Sequence, residues 1–221
     1  MNRENELKDI LKKPVVHKLS TILSYCSNKT VLDIGCVGQD FTEKETDWVH
    51  GQVKKVALHL IGVDTNKPMI KQLKEKGFTV FSADEIDKDV IPRPDIILMA
   101  DVIEHVDNVV SFLQFYRQFC SDNTLFLIST PNPFSIRQMF SILLFGRPGM
   151  NPEHTVAIDP LNFMEIMSRT GLELVDFRWL HETRKPVKSY NKVLYIFYRL
   201  MYSARRYWAP NYLVILKIAG K

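Results

Sequence analysis

At 221 residues and 25.7 kDa the chain is long enough for one domain with a small appendage, and folding at this length hides roughly 70% of the unfolded surface without disulfide or metal staples. With 46% hydrophobic and 24% charged residues it is neither disordered nor collagenous. The net charge of +4 divides unevenly: residues 183–221 hold nine Lys/Arg and no acid, whereas 1–182 hold 20 basic and 25 acidic side chains, a net of −5.

Residues 3–12 and 15–25 have helical spacing and are parted by Pro14, which a helix interior does not tolerate. Residues 1–27 thus read as an N-terminal helical segment. Thr30-Val-Leu-Asp-Ile-Gly35 is short, apolar, β-branched and bounded by turn residues, the pattern of a buried strand. A second strand spans 58–63 and ends at Asp64. Residues 67–76 form a helix that closes at Gly77. Strands three to five fall at 78–81, 95–100 and 124–129, with a helix at 109–119. An apolar stretch, 134–145, follows; it predicts either a roof over the substrate side, a lipid-facing surface, or a helix packed on the sheet. A helix at 160–170 stops at Gly171, a sixth strand spans 172–179, and residues 28–182 make the core. The last unit, 183–221, is a basic amphipathic helix and a seventh strand at 212–218 that completes the sheet.

The three cysteines, Cys26, Cys36 and Cys120, are odd in number and lack metal-type spacing, which predicts reduced thiols in a cytoplasmic protein. The charged opening, MNRENELKDILKKP, is unlike a secretory leader, and no apolar run is long enough to span a bilayer. Between Lys192 and Trp208, however, Val193, Ile196, Phe197, Leu200 and Met201 share one helical side, opposite Lys192, Arg199, Arg205 and Arg206 among three tyrosines. That pattern predicts peripheral contact of 192–208 with an anionic membrane; docking on the parent domain or a dimer contact would use it equally.

Strands alternating with helices predict a mostly parallel sheet covered on both faces, with ligands beyond the carboxyl ends of the strands. The first strand runs into Asp33-Ile-Gly35-Cys-Val-Gly38. A dinucleotide fingerprint needs a third glycine at 41, where Phe stands, and no phosphate-loop ending follows. Asp64 ends the second strand, where a carboxylate accepts from both hydroxyls of a ribose, and Ser82-Ala83-Asp84 follows the third. Each aspartate alone is an ordinary cap or turn residue. Three at one sheet edge predict a ligand with an amine, a ribose diol and a base amino group, and without phosphates.

These segments, with IGVDTN, SADEID, PDIILMADVIEHVDN and LFLISTPNPFS, resemble the motif series of class I S-adenosylmethionine-dependent methyltransferases over roughly 29–180. Asp101, Glu104, His105 and the later Glu153-His154 are similar to features of ubiquinone-biosynthesis O-methyltransferases and of methyltransferases of bacterial polysaccharide synthesis. The resemblance implies a single Rossmann-like, doubly wound, mostly parallel seven-stranded sheet with helices on both faces. It implies S-adenosylmethionine as cofactor, with Asp33 and Gly35 bordering the methionine moiety, Asp64 on the ribose and Asp84 on the adenine amino group. Gly38, Ala100 and Asp101 complete the cofactor-binding set. Val37 and Gln39 stand where the family usually has loop glycines, so the loop follows a different path.

For the chemistry, a hydroxyl nucleophile needs a base, and His154 and His105 are the candidates. No metal is expected; the alternative is a divalent ion on Asp101, Glu104 and His105, which share a helical face if 102–107 is helical. His17, His50, His59 and His181 lack motif context. The expected activity is O-methyl transfer to a hydroxyl of a sugar in a surface polysaccharide or lipid-linked glycan. The alternative is a quinone or other small-molecule hydroxyl. Outside that class stand a nucleic-acid-binding protein and a non-catalytic protein of this fold; the acidic body and the missing Asn/Asp-Pro-Pro-aromatic tetrad speak against nucleic acid.

Overall fold

The computed structural model describes residues 3–38, 48–87, 91–181 and 189–220. In chain order the elements are α1 (Arg3–Lys12), β1 (Val15–Val16), α2 (Lys18–Cys26), β2 (Thr30–Ile34), α3 (Val49–Val53), β3 (His59–Asp64), α4 (Lys67–Glu75), β4 (Val80–Ser82) and β5 (Ile96–Ala100). They continue with a 3-10 turn at Ile103–His105, α5 (Val109–Arg117), β6 (Leu125–Pro131), α6 (Ile136–Phe145), α7 (Pro160–Thr170), β7 (Leu172–Leu180) and α8 (Ser189–Ala204). A 3-10 turn at Arg206–Trp208 and β8 (Asn211–Ile218) close the chain.

One sheet runs in the order β1-β7-β8-β6-β5-β2-β3-β4, with β8 antiparallel to both neighbours and all other pairs parallel. Among the described residues it therefore has eight strands, one more than the sequence pattern predicts. The addition is Val15–Val16, which pairs with Trp179 and Leu180 at the sheet edge. Pro14 and two β-branched residues favour extended backbone there, so the second helix begins only at Lys18, after a His17 cap. The final strand does not close an edge. It lies between β6 and β7, and its residues 213–216 are almost wholly buried.

The strands read as unbroken apolar runs because both faces are covered. Along β5, Ile96 and Leu98 face α2 and α3, while Ile97 and Met99 face the layer that holds α5 and α7; β6 and β8 alternate in the same way. Parallel pairing then brings the ends of β2, β3, β4, β5 and β6 to one edge, with Asp33 beside Gly62, Asp64 beside Ser82 and Ala100 beside Ser129. The candidate residues gather on that edge.

Candidate active site

The turn after β2 is shaped by Gly35 at φ +75°, where a Cβ would fall 2.6 Å from a methyl of Val102. The left-handed backbone and the close approach both require glycine. Gly38 is also at positive φ, and no atom of the described residues lies within 4 Å of where its Cβ would stand. Gln39 and the eight residues after it lie outside the described residues.

Asp64, at the rim, binds this turn to β3. Its Oδ2 accepts from the Val37 N–H at 2.9 Å and its Oδ1 from the Asn66 N–H at 2.9 Å. The altered loop, with Val at 37, is thereby fastened to the carboxylate. Asp84 lies exposed at the next strand end, bonded to the ammonium of Lys67 at 2.7 Å and to the hydroxyl of Ser82. The Lys67 ammonium and then the Ser82 hydroxyl hold its carboxyl down at about 2.

Asp33 lies one residue below the rim, and the structure gives it a partner inside the protein. It is buried, and its Oδ2 is 2.8 Å from Nδ1 of His50. Burial pushes the Asp33 carboxyl up, and His50 offsets part of that rise. His50 enters on α3, a helix the sequence pattern does not predict, and it fits because the opposing strand residue is Gly62. A Cβ there would meet the His50 ring at 2.7 Å. His50 thus belongs to the site's foundation although no motif surrounds it.

The residues after β5 take an unexpected course. Asp101 is at φ +58°, a left-handed conformation that aspartate tolerates better than most residues, and only a 3-10 turn follows at 103–105. Asp101, Glu104 and His105 consequently do not share a helical face. The Asp101 carboxylate turns to the ammonium of Lys18 and to the hydroxyl of Ser129 at 2.9 Å. Desolvation alone would raise its carboxyl, but the charge and hydrogen bond of Lys18 together with the Ser129 hydroxyl hold the group below the usual carboxylate range. Lys18, nearly buried at the start of α2, is a site residue that the motifs do not announce.

Glu104 turns inward. It is buried; its Oε2 accepts from Thr130 at 3.0 Å while Oε1 has no partner among the described residues, and its backbone carbonyl accepts from Thr155 at 2.9 Å. Burial, followed by the nearby Asp101 charge, pushes its carboxyl up to about 8. The Thr155 bond draws the 151–155 loop over the turn and seats His154 against His105, ring centroids 4.7 Å apart, edge to face. His105 Nδ1 lies 3.3 Å from the Glu153 carbonyl. His154 Nδ1 is buried without a hydrogen-bond partner among the described residues, and desolvation, then the His105 charge, holds the imidazole below its ordinary value.

The proposed metal set changes accordingly. Asp101 is committed to Lys18, and among the described residues the three with ligand atoms within 4.8 Å of one another are Glu104, His105 and His154. One carboxylate and two imidazoles suit a first-row divalent ion in kind, although such ligands stand about 3.5 Å apart around a bound ion.

Glu104 also dictates a pH effect. Its folded value of about 8 exceeds the ordinary 4.5, so the folded chain holds this proton more tightly than the unfolded chain. The stability it contributes is full below 4.5 and is lost as pH rises through about 8. Glu104→Gln keeps the shape and removes the ionisation. Its melting temperature should match the wild type near pH 5 and exceed it at pH 9 by about 5–10 °C, for about 2–4 kcal/mol. Parallel melting curves for the two proteins across that range would refute the assignment.

A parallel sheet with one antiparallel strand third from its edge, and a glycine turn after the first long strand, has the fold of the methyltransferase class. The comparisons agree: a family model described as "Methyltransferase domain" matches residues 6–176, and the chain belongs to that family. It is an S-adenosylmethionine-dependent methyltransferase. Over 180 residues it is 22% identical to the ubiquinone biosynthesis O-methyltransferase of Rickettsia typhi, covering 75% of this chain and 69% of that protein. Among solved structures, a SAM-dependent methyltransferase from Archaeoglobus fulgidus superposes with a TM-score of 0.60 at 21% identity, covering 90% of each chain. The magnesium protoporphyrin IX methyltransferase of Synechocystis PCC 6803, solved with bound SAH, gives 0.57 at 11% identity, over 91% of this chain and 82% of that one.

Proposed function

We propose that the chain is an O-methyltransferase whose acceptor is a hydroxyl of a sugar in a surface polysaccharide or lipid-linked glycan. The observation that carries hydroxyl chemistry is His154, an imidazole at the catalytic edge, kept neutral by its surroundings and drawn into place by the bond between Thr155 and Glu104.

The residues present fit S-adenosylmethionine. Gly38 stands clear of the described residues, Asp64 offers a rim carboxylate for a diol, and Asp84 stands at the neighbouring strand end for a base amino group. When bound, the donor supplies an electrophilic methyl group on a sulfonium. Gly35 lets the backbone come close, and Ala100 and Asp101 line the floor beyond β5. Asp33, tied to His50, supports the loop from below. His154 accepts the acceptor's proton as the oxygen takes the methyl group, and His105, packed edge-on, positions the imidazole. A buried Glu104 that keeps its proton adds no negative charge beside the acceptor oxygen.

A second reading, the phenolic hydroxyl of a quinone precursor, is favoured by the 22% identity to the Rickettsia enzyme. A mass-spectrometric screen with the methyl donor and three acceptors (a lipid-linked glycan, a quinone-precursor phenol and an RNA) separates these. We expect one added methyl on the glycan hydroxyl, unchanged by EDTA. Methylation of the phenol alone would replace this reading with the second. Loss with EDTA that Mn2+ or Zn2+ restores would make His154 a ligand and not a base.

A further inference from the structure

Most of the stranded apolar surface lies on two helices. The described residues include 16 large hydrophobic side chains that are exposed; six lie at 134–145, five at 193–200 and five on all the rest. The last turn of α6, residues 142–145, reads Ile-Leu-Leu-Phe and is 51%, 77%, 67% and 75% exposed. Four successive apolar residues point in every direction around a helix, so packing of one face on the parent domain does not account for them.

α8 adds to this tip. Two of its tyrosines do not join the cations outside: Tyr202 is buried and Tyr198, like Met201, packs on the core, whereas Tyr195 stays beside Arg199. Val193, Ile196 and Leu200 remain 57–70% exposed. The two helices meet through Phe140, whose ring centroid is 5.6 Å from that of Phe197 and 6.1 Å from that of Tyr198. Their charges are of one sign. Between 132 and 152 the charged residues are Arg137 and Arg147, both exposed, and the stretch 183–221 has no acid and exposes Arg199 and Arg205.

We propose that the α6–α8 pair docks on an anionic lipid bilayer, the apolar side chains entering the boundary between headgroups and acyl chains and the arginines staying among the headgroups. Charge complementarity selects this occupant. A second copy joined through the same patch would set arginines against arginines. No helix among the described residues is long and apolar enough to cross a membrane, so the pair lies on the surface. Because α6 follows β6 at the edge that holds Glu104 and His154, docking turns the methyl-transfer site toward the bilayer. Only this last step, which selects a membrane-anchored acceptor, rests on the O-methyl transfer reading.

Co-sedimentation of the full chain with phosphatidylglycerol/phosphatidylcholine vesicles, against pure phosphatidylcholine, tests it without donor or acceptor. We expect binding to the anionic vesicles at low salt, at least tenfold weaker binding to the neutral ones, and further loss at high salt. Two double variants at exposed positions, L143D/F145D and R147E/R199E, should each lose at least tenfold while keeping the wild-type melting temperature and donor affinity. A wild-type chain that stays in the supernatant, or an L143D/F145D chain that binds like wild type, overturns the proposal. So does a dimer that L143D/F145D dissolves while no vesicle captures the protein. Vesicle binding without glycan methylation would count against the acceptor reading alone.

Discussion

His154→Ala lowers methyl turnover by about 10² to 10⁴-fold while donor affinity stays within twofold. The split follows from position: His154 sits on the 151–155 loop against His105, and the residues proposed to hold the donor lie at the ends of β2, β3 and β4. The pH profile carries a second signature. Desolvation holds this imidazole below its ordinary value, so at pH 7 it is neutral and able to take a proton. Wild-type turnover should therefore be level at neutral pH and fall on a limb below 6.5, and the limb should vanish in the variant. Stopped-turnover assays with donor titrated separately decide the matter. Full turnover in His154→Ala removes the base from the mechanism. A weakened donor affinity with unchanged turnover at saturation would move His154 to the cofactor.

The second large effect is expected at Asp64. Hydrogen bonds from two hydroxyls to one carboxylate are charge-assisted and worth about 1.5–3 kcal/mol each, so Asp64→Ala should weaken donor binding by about 10²-fold or more. The same change frees the Val37 and Asn66 N–H groups, loosening the turn that approaches the donor. Asp64→Asn, which keeps one acceptor oxygen, should fall between. Asp84→Ala should cost less than tenfold, because that carboxylate is exposed and Lys67 and water already compete for it. Dissociation constants from calorimetry give the order. An Asp64→Ala value within threefold of wild type would remove the carboxylate from ribose recognition.

The long strands were legible because a sheet covered on both faces demands continuous apolar runs, and β2, β3, β5, β6 and β8 have them. β1 was not, since two residues cannot show a period and Pro14 made 15–25 look like a helix start. The rim carboxylates Asp64 and Asp84 stand where their strand ends predict. The partners beneath were harder to find. Lys18, Ile22 and Cys26 are the buried residues of α2 at a spacing of four, so a lysine on that apolar stripe was the available sign of a buried ion pair. For His50 the sign was Gly62: a glycine inside a strand, in register with an acid, leaves room for a side chain from elsewhere. The Glu104, His105 and His154 cluster depended on Asp101 leaving the helical region, which no periodicity reveals.

The face of α8 is hard to read in the sequence for a related reason. Tyrosine suits either side of an amphipathic helix, with an apolar ring and a polar tip, and hydropathy alone placed Tyr202 outside when the fold buries it. The apolar stripe opposite then stays exposed beside α6.

Calorimetric titration of the unmodified chain with S-adenosylmethionine, with S-adenosylhomocysteine and with ATP tests the site at its root. Carboxylates on neighbouring strand ends should bind the two sulfur-containing nucleosides at one saturable site and give no heat with the triphosphate. Silence toward both nucleosides, or preference for ATP, would contradict the account.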